Sequence, residues 1–586
     1  MKKRTIIGIG LIVVIVGLAC PLATANVKLP HVFGSHMVLQ QQKPLPIWGW
    51  ALPGEKVTVL LAHHKVSAQA NARGEWLVML PEMKAGGPYI LTVQGKNTIT
   101  LKDILIGEVW LGSGQSNMQW NVTKAQNPDQ EIAAANYPNI RLFLVPNIRS
   151  GLPQADLNAA WQPCSSKTVE KFSAVLYFFG RHLHRELKIP VGLIASSWGG
   201  TRIEPWTPPV GFASVEQLKS ITEQVEQTNQ DYLEAVEDSL EAVESWVDRA
   251  GKAASKNQDI KPMPDFVLPT HKNSNITSPT AIYNSMIHPL VPFALRGVIW
   301  YQGESNNGEG MMYFLKKKAL IQGWREVWKM NDLAFYFVQL APYKYGGSPY
   351  NLPELWEAQT ASLSLPHTGM AVTNDIGNVG DIHPRNKQDV GKRLALWALA
   401  KNYNRKEIAY SGPLYKSMTR EGDKIRIRFR HIGTGLMARD GKELNWFEIA
   451  DQSSYYPARA QIDGDTILVS SDQVSRPQAV RFAWHQTAEP NLQNKQGLPA
   501  SPFRTDCTAP VFVGSLSFQK SCRVNINCRD FDGVIRYTLD GSNPTENSKI
   551  YKKPFKIKQT TNVKAAFFRN DGRQSLIQKA TYNHRD

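Results

Sequence analysis

Five short, near-continuous apolar runs are spread through the middle of this chain: 104–111, 191–195, 297–300, 334–338 and 370–373. A strand with one wet face alternates apolar and polar residues, so unbroken runs of this length belong to a sheet buried on both faces. Amphipathic helical stretches lie between several of them, at 170–187, 312–329 and 388–401. Strand alternating with helix predicts a parallel, doubly wound α/β sheet.

At 586 residues the chain has room for more than this sheet. Residues 26–104 read as an N-terminal β domain: short runs such as Pro46–Trp50, Lys56–Leu60 and Glu75–Met79 are separated by Pro-Gly and Gly-Gly turns. The sheet domain occupies 105–405. A helical insertion at about 212–255 interrupts it, with apolar residues at helical spacing from Val215 to Val247. Ser214-Val-Glu-Gln217 has the pattern of a capping box, which predicts one long helix or a helical hairpin there. Strand-like segments return at 406–505, and 506–586 forms a separate C-terminal β unit.

Residues 1–25 read as an address. Lys2-Lys3-Arg4 precedes an apolar run from Ile6 to Leu18, and Ala23-Thr24-Ala25 offers a small-residue cleavage site. Export to the periplasm or the exterior is therefore expected, with lipid attachment at Cys20 as the membrane-anchored alternative. In that compartment one bridge among Cys507, Cys522 and Cys528 is expected, with the pairing open. No Cys or His spacing suits zinc; His182 and His184 stand two apart on a helix, where side chains diverge. Neither a metal nor a cofactor is implied. With 67 basic and 50 acidic residues the net charge is +17, which suits an anionic partner. No run of five basic residues gathers that charge, which argues against nucleic acid.

Ligands of such sheets bind beyond the carboxyl ends of the strands. Four polar clusters stand there. Gly112-Ser-Gly-Gln-Ser116-Asn-Met118 follows the first run, with Ser116 in a Gly-flanked turn. Ser197-Trp-Gly199-Gly200-Thr201 follows the second, Gln302-Gly-Glu304-Ser-Asn306 the third, and Asp381-Ile-His383-Pro384 the fifth. Together they supply a nucleophile, backbone donors, a carboxylate and an imidazole, the inventory of a serine hydrolase.

These four blocks, with His36–Gln40 and Gly497–Thr505, resemble the sialate O-acetylesterase type of SGNH hydrolase along most of the chain. The resemblance implies a three-layer α/β fold flanked by β-sandwich domains, and a serine esterase that removes O-acetyl groups from sialic acid or other glycans. It implies Ser116 as nucleophile and His383 as base. The oxyanion donors would be the Ser116 and Gly199 N–H groups and the Gln302 amide, with Gly200 as the alternative to Gly199. The histidine block departs from the usual Asp-x-x-His: Asp381 stands two residues before His383. The imidazole is then oriented by Asp381, by Asp375, or by a backbone carbonyl in a Ser–His dyad. Residues 534–564 resemble the C-terminal β-sandwich of chitobiases and β-hexosaminidases.

The partner that the resemblance implies is an O-acetylated carbohydrate. Arg202 is the candidate cation for a sialate carboxylate, set against a salt bridge to Glu204, and Glu304 is a second candidate substrate contact. A neutral polysaccharide such as acetylated xylan is the alternative substrate. A glycoside hydrolase using Glu304, or a non-catalytic glycan binder, are the competing classes.

Overall fold

The computed structural model describes residues 26–266 and 275–585. The expected signal segment, residues 1–25 with Cys20, lies outside the described residues. Seven strands form the central sheet: β1 (Thr98–Gly114), β2 (Tyr137–Leu144), β3 (Trp161–Cys164), β4 (Val191–Ser197), β5 (Gly297–Tyr301), β6 (Ala334–Val338) and β7 (Thr368–Ala371). Their order is β7-β6-β5-β1-β4-β2-β3, and every neighbouring pair is parallel except β2 with β3.

Strand β2 has no counterpart among the five apolar runs, because Pro138, Asn139 and Arg141 interrupt it. Arg141 is nevertheless buried. Its guanidinium donates to both carboxylate oxygens of Asp103 (2.7 and 3.1 Å), so a charge is tolerated where the pattern asks for an apolar residue.

Side chains alternate between the two faces of the sheet. On one, Trp110 and Tyr336 stack at 5.9 Å, and Phe179 of α1 (Ala174–Leu187) and Trp397 of α4 (Lys387–Asn402) cover them. On the other, Trp300 and Phe335 pack against Trp324 of α3 (Met312–Trp328). Helices thus cover both faces, and the fold is the three-layer SGNH-like α/β arrangement.

The 104/105 boundary falls inside β1, which pairs in its first half with the N-terminal β unit and in its second with β4 and β5. The two units accordingly share one continuous hydrophobic core. His36–Gln40 belongs to this junction: Val38–Gln40 pairs with Leu105–Gly107, and Gln40 Oε1 accepts from the Val109 N–H (2.8 Å). The insertion holds one helix, α2 (Lys219–Ser255), after a 3-10 turn at Glu216–Leu218. Ser214 does not form the capping box; its hydroxyl donates back to the Gly211 carbonyl (2.7 Å).

Residues 425–503 carry a second core around Ile427, Ile449 and Phe482, and 524–582 a third around Val524, Tyr537 and Tyr582. Between the C-terminal module and the α/β domain, Glu357 of the helix Asn351–Ala361 accepts from Arg504 (2.6 Å) and Arg573 (3.1 Å). The expected disulfide is absent. Cys164, Cys507, Cys522 and Cys528 are all free, and the thiol of Cys507 is instead buried against the carbonyls of Phe567 and Arg573.

Candidate active site

Strand β1 ends at Gly114 with φ +137°, a backbone state that side chains rarely adopt; a Cβ there would meet the Tyr301 carbonyl oxygen at 2.1 Å. The chain can therefore turn sharply against β5. Ser116 opens a single helical turn, Ser116–Gln119. His383 arrives from the opposite side, on the loop between β7 and α4. Its Nε2 lies 2.8 Å from Ser116 Oγ. Trp120 stacks on the imidazole (centroids 4.6 Å apart, planes 12°) and fixes its plane. A cavity of about 600 Å³ opens over the pair, lined also by Gln119, Lys124 and Lys171.

Burial lowers the His383 pKa, and the charges of Lys387 and Lys124 push it further down; Asp381 opposes them. A neutral imidazole hydrogen-bonded to a serine hydroxyl is a base poised to take that proton.

The remaining expected residues are placed differently. Asp381 Oδ1 accepts from the backbone N–H of His383 (2.9 Å), so it shapes the loop. Asp375 is consumed by Arg393, which meets both of its oxygens at 2.6 Å. The imidazole Nδ1 has no hydrogen-bond partner among the described residues. Gln302 is fully buried, and its amide nitrogen already donates to Asn306 Oδ1 (2.7 Å) and the Thr201 carbonyl (3.2 Å). The expected role for it in an oxyanion hole is corrected: no amide hydrogen remains to offer. The Gly199 N–H donates to Gln119 Oε1 (2.8 Å) and is open to another acceptor only when Gln119 gives way.

Arg202 does not stand free for a carboxylate. It belongs to an ion cluster with Glu204, Glu309 and Lys316, and also donates to the Ser305 carbonyl (3.1 Å). Glu304 is not a surface contact for substrate either. It is buried below the Ser116 turn, where Asn117 Nδ2 donates to its Oε1 (2.6 Å).

Two further residues join the site without being sequence candidates: Asn117 lies inside the Ser116 block, and Lys387 stands three residues beyond Pro384. Lys387 Nζ is wholly buried and donates to Asn117 Oδ1 (2.5 Å). The only signal in the sequence is their position beside Ser116 and His383, which gives no role.

Residues 271–400 match the family described as carbohydrate esterase, sialic acid-specific acetylesterase. The mouse sialate O-acetylesterase is 33% identical over 455 residues, covering 70% of this chain and 80% of that protein. The chain belongs to the sialate O-acetylesterase family. The human sialate O-acetylesterase is 32% identical over 447 residues, 68% of this chain and 77% of that one. The crystal structure of a carbohydrate acetylesterase from Xanthomonas citri superposes with a TM-score of 0.69 at 36% identity, over 82% of this chain and all of that one. Residues 524–582 match a second family, described as Fn3 associated. As a member of the sialate O-acetylesterase family the protein is a carboxylic ester hydrolase, which sets aside the glycoside-hydrolase and non-catalytic readings. The burial of Glu304 agrees, since a glycosidase carboxylate must reach the sugar.

Proposed function

We propose that the protein is an exported serine esterase that removes O-acetyl groups from sialic acid or other glycans through an acetyl-enzyme. The observation that carries this reading is the 2.8 Å contact between Ser116 Oγ and His383 Nε2 at the carboxyl end of the parallel sheet. His383 takes the serine proton as Oγ attacks the acetyl carbonyl, then returns it to the sugar alkoxide as that group leaves. Water activated by the same imidazole attacks the acetyl-enzyme and releases acetate. The N–H of Ser116, first in its helical turn, is a donor for the oxyanion, and the Gly199 N–H becomes a second when Gln119 withdraws. With Nδ1 unpartnered, a Ser–His dyad fits these residues better than a triad.

Ser116→Ala tests this directly. Acetate release from p-nitrophenyl acetate should fall by about three or more powers of ten with the fold retained, as loss of a covalent nucleophile requires. Retention of a tenth of the activity would remove Ser116 from the mechanism. Export is tested by the mature N-terminus: mass spectrometry should find Asn26, and a lipid-modified Cys20 would make the protein membrane-anchored.

For substrate, Lys124 and Lys171 replace Arg202 as the cations facing the cavity, and neither forms a salt bridge among the described residues. They favour an acetylated sugar that carries a carboxylate. The consumption of Arg202 by Glu204 and Glu309 favours instead a neutral acetylated polysaccharide. Acetate release measured side by side on O-acetyl sialic acid and acetyl-xylan decides between them. If sialate is the substrate, the Lys124→Ala, Lys171→Ala double variant should raise KM for it about tenfold and leave acetyl-xylan unchanged, since one charged contact is worth roughly 1.4 kcal/mol or more.

A further inference from the structure

Three loops meet beneath the Ser116–His383 pair, and one side chain joins them. Asn117, the residue after the nucleophile, donates from Nδ2 to Glu304 Oε1 on the loop after β5 (2.6 Å) and to the carbonyl of Ile382 (2.9 Å). Its Oδ1 accepts from Lys387 Nζ at the start of α4 (2.5 Å). All three side chains are buried, and the ammonium also sits over the Tyr301 ring at 5.3 Å.

Resting on the esterase reading above, we propose that Asn117, held between Glu304 and Lys387, is the positioning group for His383 and does what a third catalytic acid would otherwise do. The physical case has two parts. First, Ile382 precedes His383 directly, so the amide that pins its carbonyl fixes the imidazole backbone relative to the serine turn. Asp381 holds the other side of that same peptide through the His383 N–H, and Trp120 sets the ring plane. The base is thereby oriented with no acceptor on Nδ1. Second, an Asn side chain rotates unless both ends are held; the carboxylate and the ammonium hold opposite ends, which fixes the amide orientation.

The cation has an electrostatic consequence as well. His383 faces Lys387, Lys124 and Asp381, and Lys387 in turn faces Glu304 and Asp381. Tyr301, Tyr313 and Tyr345 surround Glu304 and stay neutral, their pKa values raised by burial. Burial lowers Lys387 to about 7, while the same burial raises Glu304. Any positive charge left on Lys387 disfavours the imidazolium and keeps His383 a free base to lower pH.

The test is kinetic, on the full chain with p-nitrophenyl acetate as probe and kcat, KM and the acid limb of kcat/KM as readouts. Lys387→Met should lower kcat ~10- to 100-fold, keep KM within about threefold, and move the acid limb to higher pH, since the limb reports the free-enzyme imidazole. Lys387→Arg, which keeps the charge, should leave the limb at its wild-type position. Glu304→Gln keeps an oxygen acceptor for Asn117 and should retain kcat within ~5-fold, whereas Glu304→Ala should lose as much as Lys387→Met. Where a variant folds poorly, active-site titration with a fluorophosphonate gives kcat per competent enzyme. An unmoved limb in Lys387→Met, or losses that vanish on that normalisation, would overturn the positioning role. Absence of fluorophosphonate labelling in the wild type would instead sink the serine reading beneath it, so the two failures are distinct.

Discussion

His383 is held by three neighbours, none of which is an acid on Nδ1. His383→Ala should therefore cost nearly as much as Ser116→Ala. Asp381→Asn should cost less than about tenfold in kcat, against the ~10⁴ of a triad whose tautomer is lost. An Asn side-chain oxygen still accepts from the His383 N–H, so the loop keeps its shape. What disappears is the negative charge that raises the imidazole pKa, so the acid limb of kcat/KM should move to lower pH. Gln119 makes a second case. It occupies the Gly199 N–H, and Gln119→Ala should keep or raise kcat/KM by a few-fold because the donor is freed. A loss above tenfold would show that the Gln119 amide itself binds substrate.

The glycine-block loop is tied to the rest of the site by Glu204. Burial raises its pKa, but the charge and hydrogen bond of Lys316 on α3, then those of Arg202, outweigh it and bring the carboxyl down to about 2. A folded-state value below the unfolded one adds stability that is fully present above the unfolded pKa and is lost as pH falls through the folded value. From an ordinary 4.5 to about 2, the contribution at neutral pH is roughly 3 kcal/mol. Thermal unfolding should show Glu204→Gln well below wild type at pH 7, with the gap closing between pH 4.5 and 2. A gap independent of pH would mean that the carboxylate charge adds nothing.

The C-terminal module has its own core, yet it is not suspended on a linker. Glu357 is largely shielded, with 12% of its side chain exposed, and accepts from Arg504 on one side and Arg573 of the module on the other; the two arginines hold its pKa down against burial. Removing one partner of a buried ion cluster costs ~3–5 kcal/mol because the remaining charges lose their compensation. Glu357→Ala should accordingly loosen the module, read as faster limited proteolysis near residues 506–511 and a split thermal transition. A single unchanged transition would mean that apolar contacts alone fix the module.

Much was legible in the sequence because it is local. Unbroken apolar runs mark strands buried on both faces, and the polar clusters that end them mark the ligand side of the sheet. Ser116 and His383 could be picked out because a Gly-flanked serine and a loop histidine stand at two such ends, and the blocks around them resemble one family. What could not be read is how each hydrogen-bonding group is already spent. Gln302 has the right amide at the right strand end, yet Thr201 and Asn306 take its hydrogens; Arg202 has the right charge, yet Glu204 and Glu309 take it. Strand β2 escaped notice because its Arg141 is neutralised by Asp103, 38 residues earlier. Glu304 was legible only as a polar residue at a strand end, and Asn117 and Lys387 carry no sign of a role; the three are joined only where the segments after β1, β5 and β7 converge. Local sequence sets which groups are presented at a strand end, whereas their availability depends on partners that only the folded chain brings within hydrogen-bonding distance.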